Sequence, residues 1–476
     1  MRKLLAVLLI GTSLAGCVST PSTTPSEVPL KPETLGLSTA PSPQIADRWW
    51  TAFGDPQLND LVDKALAGSP TLAAAMARVR AAQSDLSASR AATYPQVTFD
   101  GNEVRERLSK NYIIPPPFGG STRWVGTLAA NLSWSLDVFG KQQAQVDRAK
   151  ATAHAAALDA AAARLMLAGN VTQAYIALDR AYLLRDVAQE TVKRQESVFN
   201  LTAGRVKAGL DVTQSEEQSR SLLATAREDL IRAESVRELA VHQIALLIGR
   251  GADAYDVARP HLNEVALQLP AVLPADLLAR RADIAAAQAR IEAATQGREM
   301  ARKAYYPDIN LIALAGTAAL GLGPLFSASS LQYGAGAAIH LPIFDAGRLD
   351  AELAHSTADL DQSVADYNET VLTAVKQTAD ALTEIRTLQD LAAEQRTALA
   401  AAQSSFNLAT GRYRSGLSPQ TNVLDAQSLL IAAHRQSATL DADTASARVS
   451  LLMALGGGFM PETDTTASTG QDQRHE

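Results

Sequence analysis

Residues 197–210 read SVFNLTAGRVKAGL, and residues 404–417 read SSFNLATGRYRSGL. The two stretches agree at eight of fourteen positions at an offset of 207 residues, and the same offset pairs Gly249 with Gly456. The chain is therefore predicted to be a tandem duplication in which each copy is a complete structural unit. Copies of this kind bury their apolar faces against one another, which favours a wall or a tube over a catalytic pocket.

The first residues have the pattern of a secretory signal. Arg2 and Lys3 precede an apolar run at residues 4–15, which is too short to span a membrane as a helix, and small residues precede Cys17. Cys17 is the only cysteine in the chain, which excludes an intrachain disulfide. Removal of residues 1–16 takes the formal charge from −7 to −9, because two basic residues are lost, and this balance disfavours nucleic acid as a partner.

The composition changes at both ends of the chain. Residues 17–46 are rich in Pro, Ser and Thr, a composition that cannot bury enough apolar surface to fold alone, so we predict a flexible tether there. The polar tail at residues 461–476 is predicted to be disordered. The two copies of the repeat are assigned to residues 47–259 and 260–460.

Each copy permits a long helix, because no proline lies between Pro117 and Pro260 or from Ile343 to Ser418. Residues 141–202 have a helical composition, and about 60 residues at about 1.5 Å each span about 90 Å. Glycines end this helix in both copies, with Asp211 and Ser418 predicted to cap the returning helices. The returning helices are shorter than the long ones. Helices at residues 58–92 and 275–304 are therefore predicted to stack end to end with the returning helices and to cover the remaining length of the long helices.

A stretch of strict alternation predicts a membrane strand. From Trp124 to Asp137 apolar and polar residues alternate, and Trp124 and Trp134 lie ten residues apart on the same face. That separation is about 33 Å along a strand, or about 25 Å in height at a tilt of about 40°, which matches the apolar band between two aromatic girdles. A soluble sheet with one wet face gives a similar pattern, but the signal sequence favours a membrane girdle at these two tryptophans.

Further strands are predicted at residues 94–105, 308–316 and 332–344. Four strands cannot close a barrel, and an open edge in hydrocarbon leaves backbone groups unpaired. The chain is therefore expected to oligomerise. Two, three or four copies give eight, twelve or sixteen strands, and a conducting lumen favours three or more.

Several short motifs support a family resemblance. They are YPQV at residues 94–97, YPDI at 306–309, LPIFDAGR at 341–348, GRYRSGL at 411–417 and NVLDAQ at 422–427. Together with the tandem repeat they resemble the outer-membrane efflux protein family, and within it the NodT-type lipoprotein channels of resistance-nodulation-division efflux systems. The resemblance implies an α+β membrane protein whose protomers form a trimeric twelve-stranded outer-membrane β-barrel, continued by a long periplasmic α-helical barrel.

The same resemblance implies a function and partners. The protein is expected to be an exit duct without catalysis, cofactor or metal, and its partners are a homotrimer of itself, a periplasmic adaptor protein, an inner-membrane resistance-nodulation-division transporter and outer-membrane lipid. The residues before Cys17 resemble a bacterial lipoprotein signal, which implies that Cys17 is acylated and that the protein is sorted to the outer membrane.

The resemblance also implies a periplasmic gate near the second helical tip. Asp425 matches the gate aspartate of the family, with Thr421, Asn422 and Ser428 as its polar neighbours. Relatives often carry an acid or an arginine where this chain has Asn422 and Ser428, so a strong ionic lock is not expected. Three symmetric Asp425 carboxylates would repel one another and favour cations. The alternative is that Asp425 is an ordinary solvated helix residue.

Residues of both tips are expected to dock the adaptor. They are Gly204, Arg205, Gly209, Leu210, Gly411, Arg412, Tyr413, Arg414, Gly416 and Leu417. For Arg412, Tyr413 and Arg414 simple exposure to water is an equal alternative, and Gly209 and Gly416 also suit tight turns.

Other functions fit the sequence less well. The seven histidines are scattered, and neither a zinc-protease motif nor a phosphate-binding loop is present, which disfavours an enzyme. A lipid-anchored coiled-coil scaffold or adhesin would leave the alternating strands unexplained. Within the channel class, metal efflux and type I secretion remain alternatives, although six methionines weakly disfavour a copper or silver relay.

Overall fold

The computed structural model describes residues 23–38, 45–111, 113–263 and 279–459. The predicted signal, Cys17 and the tail at residues 461–476 lie outside these ranges. The long elements are α1 Pro56–Gly68, α2 Pro70–Ala91, β1 Gln96–Arg107, β2 Thr122–Leu136, α3 Lys141–Lys207, α4 Thr213–Leu247, α5 Ala282–Lys303, β3 Asp308–Leu320, β4 Leu331–His340, α6 Arg348–Arg414 and α7 Gln420–Ala454. Short helical turns occupy Pro32–Leu35, Trp49–Phe53, Ala252–Ala254, Leu322–Leu325 and Ala328–Ser330.

These elements belong to two compact units. The first, here called the strand unit, contains residues 23–29, Arg78–Ala156 and Ala286–Tyr367. The second, here called the helix unit, contains Leu30–Ala77, Ala157–Ala285 and residues 368–459. Within the described ranges, no helix combines the length and the apolar character needed to cross a lipid bilayer.

The strand unit contains one antiparallel sheet in the order β1-β2-β3-β4. All four predicted strands are present, although β4 ends at His340 and not at the predicted residue 344. The register places Trp124 opposite Arg105 and Trp134 opposite Leu311. Strands β1 and β2 form one hairpin, and strands β3 and β4 form the other. The pairing of β2 with β3 joins the two copies of the duplication.

The two outer strands of the sheet are open. Every residue of β1 and β4 is exposed, including the large apolar side chains of Phe99 and Tyr333. Within the described part of the chain, nothing pairs with their outer edges. Because unpaired backbone groups cannot remain in hydrocarbon, this sheet needs further strands on both sides when it lies in a membrane.

The duplication is visible in the helix lengths. Helices α3 and α6 each contain 67 residues, and helices α4 and α7 each contain 35. At about 1.5 Å per residue, the longer pair each extend about 100 Å, which is more than the predicted length because α3 continues to Lys207. Asp137 stabilises the start of α3 by accepting hydrogen bonds from the backbone nitrogens of Gln142 and Gln143.

The shorter helices of the helix unit meet end to end, as predicted. Gly249, just after α4, has a φ of +71°, and a Cβ on it would lie 2.3 Å from the carbonyl oxygen of Gly68 at the end of α1. Gly456, just after α7, has a φ of +93°, and a Cβ there would lie 2.0 Å from the carbonyl oxygen of Arg280. Only glycine fits at either joint. Helix α5 begins at Ala282, and the predicted start at residue 275 lies outside the described ranges.

The main core of the helix unit surrounds Tyr175 on α3, which is fully buried. Its hydroxyl donates to Oδ2 of Asp55 at 2.6 Å and accepts from Nε2 of Gln57 at 2.7 Å. Asp55 also accepts from the backbone nitrogen of Gln57 at the start of α1 and from that of His261. Burial alone would raise the pKa of Asp55, but these hydrogen bonds hold it below its ordinary value.

Candidate functional site at the helical tips

Both tips are tight turns with the same backbone. Gly209 has a φ of +72° and Gly416 a φ of +73°. The nitrogen of Leu210 donates to the carbonyl of Arg205, and that of Leu417 donates to the carbonyl of Arg412, each at 2.9 Å. This pattern satisfies the last carbonyls of α3 and α6. A Cβ on either glycine would meet open space, so the positive φ is what requires glycine.

The returning helices begin one residue later than predicted. The N-caps are Val212 and Pro419, and neither side chain makes a capping bond. Asp211 still supports α4, because its Oδ1 accepts from the nitrogen of Val212 and the hydroxyl of Ser215, both at 3.0 Å. Ser418 does not act in this way, since its hydroxyl is buried and lacks a hydrogen-bond partner among the described residues.

Tyr413 connects the two tips. Its hydroxyl donates to Oδ2 of Asp211 at 2.9 Å and lies 3.5 Å from the hydroxyl of Thr202. The guanidinium carbon of Arg205 lies 4.7 Å from the centre of the Tyr413 ring, and Nε of Arg205 lies 3.6 Å from Oδ2 of Asp211. We call Arg205, Asp211 and Tyr413 the tip network. Its hydrogen bond and its cation–π contact join the two copies, and its ion pair lies within the turn of the first copy.

A second set of polar contacts lies beneath the tip network. Nε2 of Gln420 donates to the hydroxyl of Thr202 at 3.0 Å and also to the hydroxyl of Ser219. All three residues are buried. Val198 and Val423 pack beside Tyr413 in a small apolar cluster. The closing contacts therefore involve helices α3, α4, α6 and α7 together.

The carboxylate of Asp211 is the electrostatic centre of the tip network. Burial would raise its pKa, but the hydrogen bonds from Tyr413, Ser215 and the Val212 nitrogen, with the charge of Arg205, hold the pKa below its ordinary value. In Tyr413 burial is the main cause that raises the pKa, and the Asp211 carboxylate adds to it. Asp211 is therefore ionised and Tyr413 is protonated at neutral pH.

The predicted gate residues lie together on α7. Thr421, Asn422, Asp425 and Ser428 are all exposed, and their spacing puts them on one side of the helix. Asp425 makes no hydrogen bond or ion pair within the ranges that the structure describes. The structure thus brings these four residues together and leaves their carboxylate and polar groups exposed to solvent.

The predicted docking residues divide into two groups. Most are exposed, and Leu210 and Leu417, which stand at equivalent places in the two copies, expose 65% and 70% of their surface. Tyr413 is different, because only 1% of it is exposed. Arg205 is half-buried against it. The remaining docking residues are exposed: Gly204, Gly209, Gly411, Arg412, Arg414 and Gly416.

The sequence interpretation missed four residues at this site: Thr202, Asp211 as a partner of Tyr413, Ser219 and Gln420. A signal for them exists in the duplication itself. At the offset of 207 residues, Tyr413 corresponds to Val206 and Asp211 to Ser418. The two copies therefore differ at the positions that bond to each other in the folded chain.

The predicted girdle tryptophans occupy the two ends of β2. Trp124 is 47% exposed, and the guanidinium carbon of Arg105 lies 5.9 Å from the centre of its ring. Nε1 of Trp134 donates to the carbonyl of Thr93 at 3.0 Å. No cluster of His, Cys, Asp or Glu in the described ranges could hold a metal ion.

The open four-stranded sheet, the two helices of about 100 Å and the joined tips define a protomer of an outer-membrane channel. The chain belongs to the outer membrane efflux protein family, whose profile matches residues 61–250 and 273–457. It is similar to the fusaric acid resistance protein FusA of Burkholderia cepacia, with 36% identity over 369 residues, covering 74% of this chain and 69% of the relative. It is also similar to the probable efflux pump outer membrane protein TtgC of Pseudomonas putida, with 29% identity over 471 residues and 97% of both chains covered.

Solved structures agree with this assignment. The outer membrane protein VceC from Vibrio cholerae superposes with a TM-score of 0.81 at 31% identity, covering 87% of this chain and all of the other. The outer-membrane channel OprN superposes with a TM-score of 0.83 at 26% identity, covering 93% of this chain and all of the other.

The family, the outer-membrane location and the fold class predicted from the sequence are confirmed by these matches. The protein is an outer-membrane efflux duct, and its family is one of channels rather than enzymes. The scaffold or adhesin interpretation is therefore not retained.

Proposed function

We propose that the chain assembles as a homotrimer whose copies join through the free edges of β1 and β4. The open edges of these strands support this assembly, because three copies give twelve strands with every backbone group paired. A cysteine pair with one member on β1 and one on β4 tests it. Cross-linking should give a covalent trimer, whereas a covalent bond within one chain would contradict the arrangement.

The duct passes substrate from a periplasmic adaptor and an inner-membrane resistance-nodulation-division transporter. The exposed tip leucines, Leu210 and Leu417, support adaptor docking, since apolar side chains at a helical turn favour contact with another protein. Replacement of both by aspartate should abolish efflux while the trimer still assembles. Unchanged efflux with the double variant would contradict docking at the tips.

The tip network is the latch of the periplasmic gate. The hydrogen bond from Tyr413 to Asp211 and the contact of Arg205 with the Tyr413 ring hold the turn of α3 and α4 against that of α6 and α7, so the pore end stays narrow until these contacts open. Asp425 and its polar neighbours form the constriction, with one carboxylate from each copy. Single-channel conductance in planar bilayers tests the latch, because its loss should lengthen open states without changing the trimer mass.

The substrates are organic compounds. This class is supported by similarity to the fusaric acid resistance protein FusA of Burkholderia cepacia and to the antibiotic efflux pump outer membrane protein ArpC of Pseudomonas putida, both of which are named for organic compounds. Deletion of the gene should sensitise cells to lipophilic drugs and detergents, with restoration by the wild-type gene. Sensitivity to metal ions alone would assign the duct to metal export instead.

Membrane attachment uses the N-terminus. Residues 1–16 are removed, Cys17 is acylated, and the two repeats at residues 47–259 and 260–460 follow the tether. The sequence around Cys17 supports this modification. Mass spectrometry of the N-terminal peptide tests it, since diacylglycerol and a third acyl chain add a large, defined mass to Cys17.

A further inference from the structure

Helices α3 and α7 run side by side in opposite directions. Near the tip, Nε2 of Gln420 on α7 donates to the hydroxyl of Thr202 on α3. Further along α7, Asp443 pairs with Arg180 of α3 at 3.0 Å. Residue numbers therefore rise along α7 as they fall along α3. We call the buried strip between these two helices the α3–α7 seam.

Two glutamines form a polar layer in the α3–α7 seam. The layer that follows the Thr202 bond is apolar, because Val198 and Val423 belong to one cluster. Gln195 lies three residues further from the tip on α3, and Gln427 lies four residues further on α7. Each step is about one helical turn, so the two glutamines share the next layer. We call Gln195 and Gln427 the glutamine layer.

The glutamine layer is buried without compensating hydrogen bonds. Only 7% of Gln195 and 1% of Gln427 is exposed. Among the described residues, Oε1 of Gln195 and both Nε2 and Oε1 of Gln427 have no hydrogen-bond partner. A polar group that is buried in this way loses its bonds to water and gains none in return. The glutamine layer therefore raises the free energy of the closed α3–α7 seam.

Another glutamine of α7 gives the opposite result. Gln420 lies seven residues before Gln427 on the same side of the helix, and it is also buried. Its Nε2 donates to the hydroxyls of Thr202 and Ser219. The same type of side chain therefore stabilises the α3–α7 seam at one layer and destabilises it two turns away.

The α3–α7 seam is less closely packed beyond the glutamine layer. A groove of about 290 Å³ lies between the two helices, and Thr191 of α3 and Ile431 of α7 line it, each four residues further from the tip than the glutamine layer. Nε2 of His434, which also lines the groove, is buried and has no partner in the described part of the chain. Packing on this side opposes separation of the helices less than the apolar layer of Val198 and Val423 does.

We propose that Gln195 and Gln427 set how easily the periplasmic gate opens. The inference rests on the proposed gate at the helical tips. When α3 and α7 separate, water reaches the buried amides and restores their hydrogen bonds, so the glutamine layer favours the open state. It thereby opposes the bond from Tyr413 to Asp211, which holds the tips together. The tip network closes the gate, and the glutamine layer keeps that closure reversible.

Removal of the buried amide should favour the closed gate. Gln427→Met keeps the length of the side chain and removes both unpartnered amide atoms. For the full-length trimer in planar bilayers, the ratio of open to closed time should fall about fivefold or more. Addition of Gln195→Met should lower the ratio further. An unchanged or raised ratio in Gln427→Met would overturn the proposal.

Gln420→Met is the matched control. It makes the same substitution on the same side of α7, but it removes the bonds to Thr202 and Ser219. The ratio of open to closed time should therefore rise about fivefold or more, opposite to the effect of Gln427→Met. A fall of the same size in both variants would overturn the proposal, because methionine would then close the gate whatever the hydrogen bonding of the glutamine it replaces.

Amide hydrogen exchange reads the α3–α7 seam without relying on conductance. The backbone amides of Val198 and Val423 should exchange more slowly in Gln427→Met than in the wild type, and faster in Gln420→Met. Equal exchange in Gln427→Met and the wild type would count against the glutamine layer. A Gln427→Met chain that does not fold would also overturn the proposal, since a more stable α3–α7 seam is expected.

The gate can be separated from the glutamine layer. Wild-type channels that never change between open and closed states would overturn the gate and the inference together. Gated wild-type channels whose ratio of open to closed time is the same in Gln427→Met would overturn the inference alone.

Discussion

The hydroxyl of Tyr413 donates a hydrogen bond to Oδ2 of Asp211, although 202 residues separate them. This bond joins the turn of the second copy to the turn of the first. Arg205 covers both partners, with its guanidinium over the ring of Tyr413 and its Nε near the carboxylate of Asp211. The closed tip therefore depends on contacts that cross the duplication.

Removal of the Tyr413 hydroxyl should weaken the tip network without leaving a cavity. Tyr413→Phe keeps the ring and its contact with Arg205 but removes the bond to Asp211, so it should cost about 1–2 kcal/mol locally and lengthen open states in planar bilayers. Tyr305→Phe is the matched control, because Tyr305 donates a similar bond to Asp350 at 2.7 Å in the strand unit. Equal gating effects from both variants would argue against a latch.

Acid should release the tip network. The folded pKa of Asp211 lies below its ordinary value, so its contribution to stability is complete above about pH 3.9 and is lost as the pH falls through the lower, folded pKa. The hydroxyl of Tyr413 stays protonated in that range, because burial raises its pKa further above it. Proteolytic sensitivity of the tips should rise only in this acid range, and Asp211→Asn should abolish the dependence by opening the tip at every pH.

The joint between α4 and the preceding helices should not tolerate a side chain. Gly249→Ala adds a Cβ 2.3 Å from the Gly68 carbonyl at a positive φ, so thermal unfolding should show a loss of about 2 kcal/mol or more. Gly323→Ala is the control, since its φ is not positive and a Cβ there meets open space. An unchanged melting temperature for Gly249→Ala would mean that the two helix ends do not meet in this way.

The charge at Asp425 should set ion selectivity. Asp425→Asn should reduce the preference for cations, measured as a reversal potential in a salt gradient, because one carboxylate per copy is removed from the constriction. Asn422→Asp adds an acid on the same side of α7 and should increase the preference. Opposite or absent shifts would indicate that this side of α7 faces water outside the pore.

Much of the fold could be predicted from local patterns. The absence of proline and the offset of 207 residues indicated the long helices, and strict alternation around Trp124 and Trp134 indicated the strands. These features depend on neighbours along the chain, so the sequence carries them directly.

The tip network could not be predicted in the same way. An arginine, a tyrosine and an aspartate near glycine turns suit water, an adaptor or one another equally well. The choice depends on how the turn of one copy packs against the turn of the other, which fixes the burial of Tyr413 and the position of Asp211. The mismatches of Tyr413 with Val206 and of Asp211 with Ser418 at the repeat offset were the signal of that packing in the sequence.

The equal lengths of α3 and α6 limit how this chain can evolve. One residue inserted into α3 would advance Arg205 by about 1.5 Å and turn it by about 100° about the helix axis, away from Tyr413. Compensation would need a matching insertion in α6, so changes of length in the two copies must occur in pairs. The links between strands have no such requirement, since residues 108–121 connect β1 to β2 while the shorter residues 321–330 connect β3 to β4. Natural relatives should therefore vary freely in those links and share one spacing between the start of each long helix and its turn.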